Sequence, residues 1–310
     1  MAFLGYDPAK EDDSYSVSGA YRGLRPEVDV PLVDPHAWER NRKFRGVYNK
    51  LDVALSQGIE ADLVGSAKQP SAYPVIVRPV YNLWGMGHLA EVVNGANEFN
   101  ELDCSGHFWT PFIEGIHRSW DFAVVDGEPV WVIGFYGSKK PGMRFDYWAL
   151  IENNRAEDSK MTQLAQQWIR NNLSGYTGMV NVETIGSTII ECQLRIGDVI
   201  VFMACRELMK AIIGLYEKGS WDYEKNLSQF HILCIWVKRG GPLAAYESDK
   251  VSQCAQLLNG NARSWSIELA DEWKGDPIGH KRAMLIGAES WWDASVLRSK
   301  ICEASSQFYY

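Results

Sequence analysis

Residues 177–195 read TGMVNVETIGSTIIECQLR, and the rest of the chain is best read outward from them. Two runs suited to β-strands, residues 179–185 and 188–193, flank Gly186-Ser187, a pair that fits a tight hairpin turn. Side chains alternate between the faces of a strand. Glu183 on the first limb can therefore share a face with Glu191 and Gln193 on the second, and Arg195 continues that parity. Two carboxylates, an amide oxygen and a guanidinium make an oxygen-rich surface. Mg²⁺ takes such ligands and commonly divides itself between one or two carboxylates and substrate phosphates. Taken alone, these residues also suit a two-stranded ribbon with a solvated charged face.

Composition narrows the classes. A chain of 310 residues is long enough for one large unit or two to three packed lobes. Hydrophobic content of 46% and charged content of 23% are those of an ordinary globular protein. The net charge of −8 argues against a broad nucleic-acid-binding surface. Cysteines at 104, 192, 205, 234, 254 and 302 form no C-x-x-C pair and no short Cys/His cluster, which suits reduced thiols better than a disulfide framework or a zinc site. No signal peptide and no membrane-length apolar run is evident, so a soluble, cytoplasmic protein is expected.

Residues 1–35 read as an extended arm and 36–58 as a helix, with Leu51, Ala54 and Leu55 on its inner face and Gly58 as its stop. The run PVIVRPV at 74–80 is a strand whose Arg78 needs an anionic partner, because arginine is rarely buried unpaired. Gly85 and Gly87 lie in the loop that follows and can turn backbone N–H groups toward phosphate; residues 88–101 read as a helix. Strands are expected near 108–113, 120–125, 130–136 and 144–152. An amphipathic helix is expected over 156–173, capped near Asp158 or Ser159. After the hairpin come a buried helix at 199–218, a strand at 230–238, a helix at 247–258, strands at 264–269 and 282–288, and a helix at 291–302. This order places the chain in the α+β class.

Several separated pieces resemble, in order, the ATP-grasp superfamily, the fold of carboxylate–amine ligases, biotin carboxylases and carbamoyl-phosphate synthetase. YPVIVRPVYNLWGMG is similar to its phosphate-binding strand and glycine loop, which implies that Arg78, Gly85 and Gly87 meet nucleotide phosphates. Asn49-Lys50-Leu51 resembles the element whose lysine also reaches a phosphate. Phe112, Ile113 and Glu114 resemble the hinge that holds adenine, and His117 falls near the position that touches ribose. His117 read alone is a surface histidine. VETIGSTIIECQLR resembles the metal signature. Glu183, Glu191 and Gln193 are then Mg²⁺ ligands and Arg195 steadies a developing negative charge.

The resemblance implies two α+β lobes whose antiparallel sheets clasp ATP, with a C-terminal α/β extension. The expected units are an arm (1–35), a helical lead-in (36–72), a small lobe (73–155), a metal-binding lobe (156–214) and an extension (215–310) that replaces the usual substrate domain. The implied activity is a ligase joining a small-molecule carboxylate to an amine, with no membrane and with a homodimer allowed. A small-molecule kinase is a second reading. A nucleotide-binding scaffold without turnover is a third, served by Gln193 standing where Asn is usual and by Thr110-Pro111 before the hinge. Lys139, Lys140 and Arg144 read as cleft-lining or, more plainly, as a solvated loop.

Overall fold

A computed structural model describes residues 24, 26–83, 85, 87, 89–139, 145–152, 155–197, 206–224, 231–238, 262–267, 280–288, 290–304 and 308–309. The helix expected at 247–258, Lys140, Arg144 and most of the arm lie outside them.

The lead-in, expected as one helix, is three short pieces: α1 (Asp34–Arg40), a 3₁₀ helix (Arg42–Tyr48) and α2 (Lys50–Leu55). Asn49 makes the second break. Its backbone is extended, and its side chain accepts hydrogen bonds from the Leu51 and Asp52 N–H groups at 3.1 Å, capping α2. The buried residues of α2 are Lys50, Val53 and Ala54, while Leu55 faces solvent.

A four-stranded sheet comes next, built from β1 (Asp62–Leu63), β2 (Val75–Pro79), β3 (Glu91–Val93) and β4 (His107–Pro111) in the order β1-β4-β2-β3. The segment expected as a helix over 88–101 holds β3 and then α3 (Ala96–Asn100). Val92 and Val93 are stiff, β-branched residues that pair with Ile76 and Val75 of β2, and the open edge of that strand overrides any helical spacing. Phe99 of α3 closes a small core with Val75, Val77, Val93 and Trp109.

The remaining strands form a nine-stranded sheet: β5 (His117–Val125), β6 (Glu128–Lys139), β7 (Phe145–Leu150), β8 (Gly178–Ile185), β9 (Thr188–Gln193), β10 (His231–Lys238), β11 (Ala262–Ile267), β12 (His280–Ala288) and β13 (Phe308–Tyr309). Its order is β11-β12-β10-β7-β6-β5-β8-β9, with β13 beside β10. The pairings are antiparallel in both sheets, as the α+β reading requires. The expected division at 155/156 does not coincide with a sheet boundary. β5 to β7 join β8 and β9, and the change of sheet falls between β4 and β5.

Strict alternation gives the large sheet two different faces. Trp120, Phe122, Val124, Val180 and Val182 pack beneath α4 (Ala156–Asn172) and the lead-in. Ala123, Ile133, Phe135 and Met179 meet α5 (Arg206–Lys218) on the other side. α6 (Trp291–Ala304) follows β12 and places Trp291 against Tyr147, with ring centroids 4.7 Å apart. Asp158, expected near the cap of α4, is instead buried and paired with Arg118 of β5 at 2.8 Å; the residue ahead of the helix is Arg155, which makes no side-chain cap. Among the described residues no helix is long and apolar enough to cross a membrane.

Candidate functional site

The face of the large sheet that carries α5 turns polar at its far end. Ser119, Asp121, Asn181, Glu183, Glu191 and Gln193 share it, and β8 and β9 are in register there with Glu183 opposite Glu191 and Asn181 opposite Gln193. The ladder shifts between Glu183 and Thr184, so Ile190 is passed over, and the two acids meet directly across the hairpin.

Each acid already has partners. Lys50 Nζ lies 2.8 Å from Glu191 Oε2, with the two side chains only 7% and 14% exposed. Gln193 Nε2 donates to Glu191 Oε1 at 2.8 Å. His117 Nε2 is 2.9 Å from Glu183 Oε2. Burial pushes the Glu183 carboxyl upward, but the hydrogen bond and charge of His117, together with Lys139 and Lys50, outweigh it and hold the group at about 2. His117 is therefore not a surface residue. It is buried, with its ring set edge-on to Phe145 and Trp148 at 5.0 and 5.8 Å.

Arg78 reaches this cluster from the other sheet. Its Nη1 donates to the Ile190 carbonyl at 3.2 Å, and its guanidinium lies 5.1 Å from the centre of the Phe108 ring. Burial lowers the guanidinium from its usual value, while Glu191 and Glu183 act to raise it. Lys139, at the end of β6 with its ammonium 4.8 Å from the Phe145 ring, faces the same pair. Desolvation lowers its ammonium, the two carboxylates raise it and Arg78 opposes them. Lys139 is solvent-exposed, as the plainer reading expects, but it stands at the end of a strand and not in a loop. The strand is longer than its apolar run because β7 pairs with it out to Phe145.

Arg195 has a different surrounding. It is 7% exposed; its Nη2 pairs with Asp34 Oδ2 at 3.0 Å and its Nη1 donates to the Ile196 carbonyl at 2.9 Å. The Tyr48 hydroxyl donates to Asp34 Oδ1 at 3.3 Å and accepts from the Leu194 N–H at 3.0 Å. Gln57 adds a further tie, exchanging hydrogen bonds with both the N–H and the carbonyl of Ile189 at 2.8 Å. The lead-in thus fastens β9 at Ile189 and Glu191 and the chain just beyond it at Leu194 and Arg195. Asp34, Tyr48 and Gln57 escaped the sequence reading, which had no signal for them.

Gly85 and Gly87 take φ values of +67° and +64°, the left-handed region that favours glycine, and Asn82 Nδ2 holds the Gly85 carbonyl at 3.0 Å. Phe112, Ile113 and Glu114 carry the chain from one sheet to the other. The Phe112 N–H donates to the Pro74 carbonyl at 3.0 Å. Just beyond, Gly115 passes so close to the hairpin turn that an added Cβ would lie 2.8 Å from Gly186 Cα.

Among the described residues no group of three or more His, Cys, Asp or Glu side chains is placed to hold a metal ion. The oxygen donors are two carboxylates and the Gln193 amide. That set is too small for a closed cage and fits a hard dication whose other ligands come from phosphates. Lys50, Arg78 and Lys139 around it suit a polyanion.

No protein-family model matches the sequence, and no curated protein matches it. Solved structures do match the fold. N5-carboxyaminoimidazole synthase from Aspergillus clavatus, in complex with ADP and 5-aminoimidazole ribonucleotide, superposes with a TM-score of 0.58 at 15% identity, over 89% of this chain and 81% of that one. L-amino acid ligase from Bacillus licheniformis gives 0.55 at 13% identity, over 90% and 79%. The biotin carboxylase domain dimer of the Hydrogenobacter thermophilus 2-oxoglutarate carboxylase, in complex with MgADP, ADP and bicarbonate, gives 0.53 at 10% identity, over 86% and 67%. These are ATP-grasp proteins, and this chain has the ATP-grasp fold.

Proposed function

We propose that this chain is an ATP- and Mg²⁺-dependent ligase that activates a small-molecule carboxylate as an acyl phosphate for attack by an amine or similar nucleophile. The observation that carries the reading is the meeting of Arg78, Lys50 and the Glu183–Glu191 pair where the two sheets adjoin. The fold and the nucleotide-bound and ligase structures that share it support it.

Phosphoryl transfer needs positioning and charge neutralisation rather than a protein nucleophile. In this reading Lys50 and Arg78 hold the phosphates, the N–H groups of Gly85 and Gly87 add donors, Phe112, Ile113 and Glu114 take adenine, and His117 stands by the ribose. Glu183, Glu191 and Gln193 are the residues for Mg²⁺, which would withdraw charge from the phosphates when bound. A carboxylate oxygen bonds to the γ-phosphorus as the bond to the ADP oxygen breaks. The amine lone pair then adds to the acyl carbon, phosphate departs with the C–O electrons, and the amine proton passes to solvent. Arg195, steadied by Asp34, is assigned the developing oxyanion. We assign substrate binding to residues 215–310 and place the protein in the cytoplasm.

The test is ADP release with a panel of carboxylic acids and hydroxylamine as trapping nucleophile. Acid-dependent hydroxamate is expected, and Lys50→Ala and Glu191→Gln should each lower kcat/KM by about 100-fold or more. A phosphoester without hydroxamate would instead indicate a kinase, and nucleotide binding without either product a scaffold. Wild-type turnover in both variants would remove the site assignment.

A further inference from the structure

We infer that Lys50 is an internal counter-ion for the acid pair, holding Glu191 against a lone divalent cation until a nucleotide's phosphates draw its ammonium away, so that metal and nucleotide enter together. The inference rests on the reading of Lys50 as a phosphate ligand and of Glu183 and Glu191 as cation ligands, and adds an order to their use.

Three of the four carboxylate oxygens in the pair have an identified partner. Glu191 Oε2 holds Lys50, Glu191 Oε1 accepts from Gln193, and Glu183 Oε2 is bonded to His117. A cation arriving by itself must displace an ammonium 2.8 Å from Glu191 Oε2. It must also turn the Gln193 amide, whose N–H₂ end now faces Glu191, before the amide oxygen can serve as a ligand. Arg78 and Lys139 face the same acids and add like-charge opposition.

A triphosphate changes each of these costs. It offers the ammonium other acceptors, it engages the two remaining cations, and it supplies oxygens to complete the coordination of a hard ion. The backbone of α2 does not need to move. The Lys50 N–H is anchored to the Val80 carbonyl at 3.0 Å, just past the strand that carries Arg78, and only the four-carbon stem has to swing. The same lysine therefore opposes metal alone and favours nucleotide. A purely structural ion pair would not give effects of opposite sign.

The experiment uses the full chain stripped of metal. Mn²⁺ alone is titrated with detection by electron paramagnetic resonance, and ADP without metal by calorimetry. Lys50→Met keeps the length and apolar stem and removes the charge. It should bind Mn²⁺ roughly tenfold more tightly than wild type and ADP roughly tenfold more weakly, within the usual range of coupling between sites. Lys50→Arg should return Mn²⁺ binding to the weak wild-type level. Mn²⁺ affinity of Lys50→Met within twofold of wild type, or weaker, overturns the inference. Should circular dichroism show Lys50→Met unfolded, Glu191→Gln decides: releasing Lys50 should tighten metal-free ADP, and unchanged or weaker binding overturns the inference. A wild-type chain that binds ADP neither with nor without Mg²⁺ would overturn the proposed function itself. ADP binding by wild type with no response of Mn²⁺ to Lys50→Met defeats only the counter-ion.

Discussion

Gly137 stands between His117 and Trp148 across three strands, and the space above it is taken by rings. A Cβ there would lie 2.7 Å from Trp148 Cζ3 and 2.8 Å from Phe145 Cε1. Phe145 and Trp148 are three residues apart yet share a face, because the β6–β7 register shifts between Ser138 and Lys139. Those rings in turn set the His117 imidazole against Glu183. Gly137→Ala should therefore act twice. Overpacking is expected to cost ~1–3 kcal/mol in urea unfolding, and the displaced His117 should weaken Mg²⁺-dependent nucleotide binding. Wild-type values for both would show that the rings have room to move.

At the scale of elements, helices and strands are joined by buried polar contacts as well as by apolar packing. Arg118 of β5 is fully buried and holds the first turn of α4 through Asp158 at 2.8 Å and Glu157 at 3.1 Å, with the Tyr136 hydroxyl also bonded to Asp158. Removing one member of such a pair strands the other charge. Arg118→Met is expected to cost ~3–5 kcal/mol, and adding Asp158→Leu should recover a large part of it. Strictly additive losses in the double variant would show that the two residues do not act as a pair. β9 is treated differently: as the edge strand of its sheet it is covered by side chains of the lead-in, with the Gln57 amide taking the place of a neighbouring strand at Ile189.

Across the whole molecule, the two sheets are bridged by Arg78 and by the chain crossing at residues 112–116, so the site is a property of their arrangement. The tyrosines offer a check on that packing. Desolvation and the bond to Asp158 raise the Tyr136 phenol to about 12, and burial raises Tyr48, Tyr176 and Tyr216 as well. A phenol raised in the folded state above its unfolded value of ~10 contributes stability that is fully present below ~10 and is lost as pH rises through the folded pKa. Unfolding free energy should thus fall above pH ~10, and phenolate absorbance from these four residues should appear together with loss of the near-ultraviolet dichroism. Complete titration of all tyrosines near pH ~10 in a chain that stays folded would contradict the packing.

The hairpin, the Arg78 strand and the amphipathic α4 were settled by the sequence itself, because each depends on spacing within one segment, whereas the shared face of Glu183 and Glu191 came from the register shift that passes over Ile190. Alternation along a strand and the 3.6-residue repeat of a helix are local properties, and a turn pair such as Gly186-Ser187 carries its own conformation. What each side chain faces was decided by tertiary structure. Asp34 and Arg195 are 161 residues apart and Arg78 and Ile190 are 112 apart, and no local pattern specifies such partners. The same holds for residues 91–93, where pairing with β2 made a strand of a stretch that read as helix, and for Lys139, whose place beside the acid pair depends on how far β7 pairs with β6. Burial and charge pairing are free energies of the assembled chain, and they chose among alternatives that the sequence left equal.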